Sequence, residues 1–437
     1  MKINVGIRRE DINRSERRVP LIPAHVQEII RNYPMNFYIQ PSTIRVFPDS
    51  EYLVAGASVQ ESLSPCSVVL AIKEIPIHLL EPGKVYVFFS HTIKGQSRNM
   101  PMLRKMLNLG CTLIDYEKMV NGKGQRVLFF GNYAGHAGMV DSLWAYGQRM
   151  KWLGVETPFL KVKQAVHYSN LTEIKERLRV IGQEIVEKGL PGLVSPFICG
   201  FFGYGHVSQG AQEIYDFLPA VEIRPSELKE NVGKGYFSPH RVYKVVFKEE
   251  DMVRPEGNFA FDLQDYYQNP DRYRPVAEDY LSYLNVLING IFWTPGYPKF
   301  VTRKFLRELY SGKSQPRLQV IGDITCDIDG SIESTVKATD SENPVYVYDP
   351  IEGKTAFGFE GNGPVVMAVY NLPAELPLES STFFSKNLKE YVPEIALADY
   401  SQPFEKIELS PVIKKAVISH RGELMSDYKY LEKYLLI

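Results

Sequence analysis

The stretch that most constrains this chain is Pro196-Phe197-Ile198-Cys199-Gly200-Phe201-Phe202-Gly203-Tyr204-Gly205-His206-Val207-Ser208-Gln209-Gly210-Ala211. An apolar run stops at two glycines, and a segment of helical character, Gly210 to Phe217, follows. Strand, tight turn, helix is the order of a phosphate cradle. The first glycine permits the sharp bend and the second lets the backbone approach a pyrophosphate. The helix N-terminus then offers unpaired N–H groups and a positive dipole end. The pattern is G-x-G-x-x-S, with Gly203, Gly205, Val207 and Ser208 as the candidate cradle and Gly210 two places on. Taken alone, Gly-x-Gly also occurs in plain turns.

A chain of 437 residues exceeds one ordinary core and points to two or three domains. Hydrophobic residues at 44% and charged residues at 23% describe an ordinary globular protein. A formal net charge of -1 leaves no basic excess to neutralise phosphates, which argues against a nucleic-acid partner. No apolar run reaches the length that crosses a bilayer, so no membrane partner is expected. Met1 to Ile7 is too short for a secretory leader and meets Arg8, Arg9, Glu10 and Asp11 at once, so a cytoplasmic location is expected. Cys66, Cys111, Cys199 and Cys326 are far apart, and the histidines lack ligand spacing. Neither a disulfide framework nor a metal site is expected, and the chemistry falls to an organic cofactor or to side chains.

Along the chain, Met1 to Ile7 reads as a buried strand. Arg8, Arg9, Arg14, Arg17 and Arg18 follow, and most read as a solvated loop. Arg18 differs because Val19-Pro20-Leu21-Ile22-Pro23 would carry it into packed surroundings, where it could grip a carboxylate bidentately. Ala24 to Arg31 reads as helix, Phe37 to Ile39 as strand, and Tyr52 to Ala57 as a turn and strand edge. Two apolar strands end in titratable bases: Ser67 to Ile72 at Lys73 and Glu74, and Val85 to Phe89 at Ser90, His91 and Lys94. In open α/β sheets, ligands gather at the carboxyl ends of strands. A lone lysine there is usually solvated and a lone histidine usually a packing residue; their paired occurrence favours function.

Leu103 to Leu109 reads as helix, and Cys111 to Ile114 as a strand ending at Asp115-Tyr116-Glu117. A hairpin turn follows at Asn121 to Gly124, then a short strand at Arg126 to Phe130. Gly131 to Leu153 and Leu171 to Lys188 read as helices. Beyond the cradle, Ala220 to Ile223 reads as the second strand of a βαβ unit. Glu222 stands about 20 residues past the turn, where an acid meets a ribose 2′-hydroxyl. Arg224 could instead meet a 2′-phosphate, and the two residues point to opposite cofactors. Lys248 to Arg274, rich in Asp, Asn, Pro and Tyr, reads as a long surface excursion, and Tyr280 to Ile291 as helix. Leu318 to Ile324 reads as a strand with Asp323 near its end. Val345 to Tyr348 and Pro364 to Val369 read as strands, and Pro373 to Tyr391 as largely helical. Apolar strands alternating with helices predict an α/β architecture with mostly parallel sheets.

Five separated blocks carry a resemblance. They are Arg8-Arg9-Glu10-Asp11 with Glu16-Arg17-Arg18, Phe88-Phe89-Ser90-His91-Thr92-Ile93-Lys94, Asp115 to Val120, the cradle from Gly203 to Gln212, and Asn371-Leu372-Pro373-Ala374-Glu375-Leu376-Pro377. From Gly6 to about Tyr430 the chain resembles the lysine–ketoglutarate reductase region of the aminoadipic semialdehyde synthases. More broadly it is similar to the saccharopine dehydrogenase and alanine dehydrogenase group. The resemblance implies two domains, each with a mostly parallel sheet flanked by helices, and a cleft between them. A Rossmann-type dinucleotide-binding domain at 139–343 would be inserted in a substrate domain built from 1–138 and 344–437. It implies Lys73 and His91 as the acid–base pair and Arg18 as the carboxylate-binding arginine. Lys94, Glu117 and Arg126 would line the substrate, Asp323 would lie near the cofactor or the substrate amine, and Leu372 would line the cofactor.

The activity implied is condensation of the lysine ε-amine with 2-oxoglutarate and reduction of the imine by NADPH, giving saccharopine. NAD-linked oxidation of saccharopine or of a related amino acid is the alternative, and a nucleotide-binding relative without chemistry the third reading. Two departures stand out. The second enzyme of the bifunctional proteins has no counterpart in these 437 residues. Tyr204 and His206 stand where such relatives carry smaller polar residues, and their bulk could narrow the pyrophosphate site.

Overall fold

Short strands with apolar residues on both faces dominate the chain, and such strands need cover above and below. In the computed structural model, which describes residues 2–13, 15–312 and 314–435, they form two eight-stranded sheets in two compact units. One unit holds the residues up to Phe130 together with those from Pro377 onward; the other is Gly131–Leu376. Arg14 of the charged N-terminal segment lies outside the described residues. No helix among the described residues is long and apolar enough to cross a membrane.

In the first unit the strands are β1 (Ile3–Ile7), β2 (Met35–Ile39), β3 (Ser58–Val59), β4 (Val68–Leu70), β5 (Val85–Phe88) and β6 (Thr112–Asp115). They lie in the order β6-β5-β4-β1-β2-β3, all parallel. An antiparallel hairpin, Val417–His420 and Glu423–Leu424, extends the sheet beyond β6. The helices Pro23–Asn32, Met100–Asn108 and Pro377–Leu388 add Val26, Ile29, Leu103, Met106, Phe384 and Leu388 to the same buried cluster. The C-terminal segment is tied to the loop after Arg18, because Val19 N–H and Ile22 N–H donate to Ser381 Oγ (3.0 Å) and Ser385 Oγ (2.9 Å). Since β1, β4, β5 and β6 run parallel, the residues that follow them emerge along one edge of the sheet.

The second unit contains β7 (Phe197–Phe202), β8 (Ala220–Glu222), β9 (Val242–Phe247), β10 (Val253–Pro255), β11 (Tyr273–Pro275), β12 (Val286–Asn289), β13 (Val320–Asp323), β14 (Val345–Asp349), β15 (Lys354–Phe357) and β16 (Val365–Met367). The sheet order is β15-β14-β16-β13-β12-β7-β9-β8, parallel from β8 to β16 and closed by an antiparallel β14–β15 hairpin. β10 and β11 pair separately. Alternation along β7 splits its side chains between two cores: Phe197, Cys199 and Phe201 join one cluster, Ile198 and Phe202 the other.

One contact fixes the helix after the turn. The helix His206–Tyr215 crosses the helix Gly131–Trp152 at two glycines. A Cβ on Gly135 would run into the Val207 carbonyl oxygen, and one on Gly210 into that of Asn132. Only hydrogen fits at either place.

The structure differs from the sequence reading in seven places. The expected division at 138/139 falls inside the unbroken helix Gly131–Trp152. The one at 343/344 falls before β14 and β16, which pair into the second sheet. Asp49–Val54 is a short helix where a turn and strand edge were expected. Arg126 makes only an isolated bridge to Val120, so no strand runs from 126 to 130. Tyr280 to Ile291 is not a helix: a single turn, Glu278–Leu281, gives way to β12. Its apolar run is too short for periodicity to separate strand from buried helix. β8 is the outermost strand and β9 the neighbour of β7, so the second strand of the βαβ reading lies one place further out. Finally, Met252, Val253, Tyr266 and Tyr273 bury themselves in the second unit's core, so Lys248 to Arg274 is more than a surface excursion.

Gly135→Ala should therefore lower stability by about 1–3 kcal/mol, the usual cost of overpacking. Gly122→Ala, where an added Cβ meets nothing within 4 Å, should be near neutral. Thermal unfolding of the two variants checks both.

Candidate functional site

In the first unit, the loops after β4, β5 and β6 assemble a cluster of charged and polar side chains. Lys73 follows β4 by three residues. Burial, then the charge of Arg18, holds its ammonium below the usual lysine range, while Glu16, Glu74 and Glu10 act the other way. The backbone that carries it is clamped: Glu10 accepts hydrogen bonds from Ile72 N–H (2.6 Å) and Lys73 N–H (3.1 Å). Burial, then the charge of Glu16, pushes the Glu10 carboxyl up to about 7. Arg18 is buried with Glu16, to which its Nε (2.7 Å) and Nη2 (2.6 Å) donate, and its guanidinium lies 4.3 Å from the Phe130 ring centroid.

His91 holds a left-handed backbone, φ 49°, uncommon for a residue with a side chain. Asn99 Nδ2 donates to the His91 carbonyl at 3.0 Å and steadies it. The ring Nδ1 lies 2.8 Å from Glu74 Oε1, which also accepts from Arg98 and Asn99. Burial works to raise the Glu74 carboxyl, but the hydrogen bond and charge of His91 outweigh it and hold it at about 2. Asp115, at the end of β6, accepts from Ser90 N–H (3.2 Å) and Glu117 N–H (2.8 Å), and so ties the His91 loop to the Glu117 loop. Burial raises its carboxyl to about 6. Glu117 is ion-paired with Arg126, and both line a cavity of about 370 Å³ with Lys118, Lys415 and Tyr430. Lys94 is exposed and does not line that cavity.

In the second unit, Gly203 ends β7 with φ 83° and its N–H donates to the Phe247 carbonyl at 3.0 Å. A Cβ there would meet Ile291 at 2.9 Å, so the turn requires glycine. Gly205 is the N-cap of the helix His206–Tyr215, has no side chain to cap it, and faces open space where a Cβ would meet nothing within 4 Å. The first-turn N–H groups of any helix lack acceptors within it, so this turn fits a pyrophosphate. Ser208 is buried and accepts from Gln212 Nε2 at 3.0 Å; Val207 packs against Gly290. Tyr204 turns onto the wall of a cavity of about 460 Å³ that begins at the turn, and His206 is exposed.

The Alanine dehydrogenase/PNT N-terminal domain matches residues 6–137, and the Alanine dehydrogenase/PNT C-terminal domain residues 283–427. The chain is 38% identical over 445 residues to the mitochondrial alpha-aminoadipic semialdehyde synthase of Bos taurus, an alignment covering 99% of this chain and 48% of that protein. It is 23% identical to a saccharopine dehydrogenase [NAD(+), L-lysine-forming] of Yarrowia lipolytica, over 85% of this chain and 87% of the other. A solved L-alanine dehydrogenase shares the fold with a TM-score of 0.63 at 17% identity, over 99% of this chain and all of that one. The chain belongs to the alanine dehydrogenase-like family. It spans about half the length of the curated aminoadipic semialdehyde synthase it matches.

For this member of the alanine dehydrogenase-like family, the structure brings Lys73 and His91 onto one sheet edge. Arg18 stands close enough to Lys73 to depress its proton affinity, but its fork is already engaged by Glu16. Asp323 is sealed in: Thr335 Oγ1 (2.6 Å), Thr325 Oγ1 (2.7 Å) and Asn289 Nδ2 (2.9 Å) donate to its carboxylate. Leu372 is buried in the core against Gly138. Glu222, at the end of β8, pairs with Lys244 (3.4 Å), and Arg224, at the N-cap of the next helix, with Glu227 (3.1 Å). Sequence reasoning missed Glu74, Glu10 and Asp115 as partners of the pair. Glu74 was within reach, as the second charge ending the strand before Lys73.

Glu74 gives a pH test. Its folded carboxyl lies below its ordinary 4.5, so the stabilisation is complete above 4.5 and is lost as pH falls toward about 2. Wild type should therefore be more stable than Glu74→Gln at pH 6, with a gap that narrows steadily below pH 4.5. Denaturant midpoints across that range check the sign.

Proposed function

We propose that this chain is an oxidoreductase that interconverts saccharopine with L-lysine and 2-oxoglutarate, using a nicotinamide dinucleotide. The observation that carries the reading is the pairing of Lys73 and His91 at adjacent strand ends, in a chain whose second unit holds a glycine turn fit for a pyrophosphate. The names of the relatives support the substrate class.

When bound, the dinucleotide would supply the hydride. The chain's own work is to move protons. Lys73 Nζ, its proton affinity lowered by burial, can release or take a proton near neutrality more readily than an exposed lysine. His91 has Nδ1 committed to Glu74, which leaves Nε2 as the ring atom to exchange a proton with substrate. Two groups of different proton affinity can divide the protonations of nitrogen and oxygen that imine formation and hydrolysis require. Arg18, with Glu16 as its internal carboxylate partner, is the candidate for one substrate carboxylate, and the cavity of Glu117 and Arg126 for another charged end.

Reductive condensation with NADPH is what the resemblance implies. Saccharopine oxidation with NAD is the second reading. Purified protein given lysine, 2-oxoglutarate and NADH or NADPH should oxidise the nucleotide, and no turnover with either would sink the proposal. Lys73→Met and His91→Gln should each cut kcat by about 10²-fold or more while dinucleotide affinity changes less than about twofold. Wild-type rates in both variants would remove them from the mechanism.

A further inference from the structure

We propose that one proton shared between Asp141 and Glu375 latches the turn Leu372–Glu375 onto the helix Gly131–Trp152, and that removing this proton at alkaline pH frees the turn. The latch lies wholly in the second unit and works whichever reaction the chain performs.

The course of the chain sets where the two acids stand. The chain passes between the units after Phe130 and again after Leu376. The helix Gly131–Trp152 begins at the first passage, and the 3-10 turn Leu372–Glu375 ends just before the second. Asp141, on the helix, is fully buried, and Glu375, closing the turn, is 2% exposed. Leu372 of the same turn packs against Gly138 of the helix, where an added Cβ would meet it at 3.2 Å. Positions 138 and 141 are three apart and share one helix face, so the turn is held by an apolar contact and by the pair of acids.

The hydrogen bonds then require a proton between them. Ala165 N–H donates to Asp141 Oδ1 at 2.7 Å, and Ser341 Oγ donates to Glu375 Oε1 at 2.6 Å. Among the described residues no donor reaches the remaining oxygens, Asp141 Oδ2 and Glu375 Oε2, and both are buried. The two carboxyl groups are hydrogen-bonded to each other. An ionised carboxylate only accepts hydrogen bonds, so one of the two must carry the proton that joins them. An O–H···O⁻ bond of this kind is stronger than one between neutral groups.

The surroundings decide which proton stays. Burial raises both carboxyls, and the charge of Asp141 raises Glu375 further, well above the ordinary carboxyl range. Neither acid has an ion-pair partner among the described residues. Charged groups on the adjoining elements are engaged or solvated. His136 pairs with Glu213, Arg149 donates to backbone carbonyls, and Lys163, His167, Asp340 and Glu342 are exposed. Tyr168, just after the Ala165 turn, feels the Asp141 charge but brings no positive one. With no cation to replace it, the proton cannot leave without setting two buried negative charges against each other. The helix has 22 residues and the turn four, so the turn gives way. A folded carboxyl raised above its ordinary 4.5 contributes stability that is full below 4.5 and declines as pH rises.

Glu375→Gln puts an amide N–H where the proton stands and has no proton to lose. Infrared difference spectra of the whole chain at about pH 8, wild type against this variant, should show one protonated-carboxyl C=O band in wild type, because the other buried acids cancel and an ordinary glutamate is ionised there. Ala374 N–H donates to the Asn371 carbonyl within the turn and reports whether it is closed. Between about pH 7 and about pH 10, its hydrogen-exchange protection, corrected for base catalysis, should fall about tenfold or more in wild type and less than about twofold in Glu375→Gln. Asp141→Asn removes the opposing charge from the other side and should flatten the profile in the same way. Absence of the band, or a protection profile that is the same in wild type and both variants, would overturn the proposal.

Discussion

The second unit depends on the approach of two helices at Gly135 and Gly210. No side chain separates the backbones there, so the helix His206–Tyr215 has one position relative to the helix Gly131–Trp152. Its N-terminus is thereby aimed past the end of β7. Gly203, in a left-handed conformation, turns the chain sharply enough to join strand and helix, and Ile291 closes the far side. A phosphate cradle is a rigid arrangement of N–H groups, and rigidity of this kind comes from packing rather than from the turn alone.

The strand, turn and helix around Gly203 were legible because their pattern is local: glycines, an apolar strand and a helix lie consecutively in the chain. The strand order was not, because it depends on which strand lies beside β7. Chain order pointed to β8, the strand that ends in Glu222. The sheet instead places β9 there and sends β8 to the edge. The same limit explains β12: Val286 to Asn289 is a short apolar run whose central place in the sheet only tertiary pairing reveals. Long amphipathic helices such as Leu171–Lys188 were legible end to end, with Asn170 capping the start and Gly189 the finish.

The first unit shows a different constraint, the burial of charge. Glu10, Glu16, Arg18 and Asp115 are all nearly inaccessible, and each is compensated by hydrogen bonds or by a partner of opposite sign. Removing one member of such a group leaves another charge uncompensated, which is costly. Strand-end placement of Lys73 and His91 could be read from apolar runs that stop at bases. Their partners could not, because Glu16 reaches Arg18 and Asp115 reaches Ser90 only after the loops fold. Arg18 illustrates the difference: its packed surroundings follow from the apolar run after it, whereas the Glu16 carboxylate to which its Nε and Nη2 donate is set only by the folded loop.

Both units thus place functional candidates at the carboxyl ends of parallel strands, the Lys73 and His91 pair in the first and the Gly203 turn in the second. The central proposal is that a nicotinamide dinucleotide lies along the Gly203 turn. Hydrogen–deuterium exchange with and without NADH, and with and without NADPH, tests it most directly. The account predicts added protection across Gly203–Gln209 with at least one of the two nucleotides. No change there with either would contradict it.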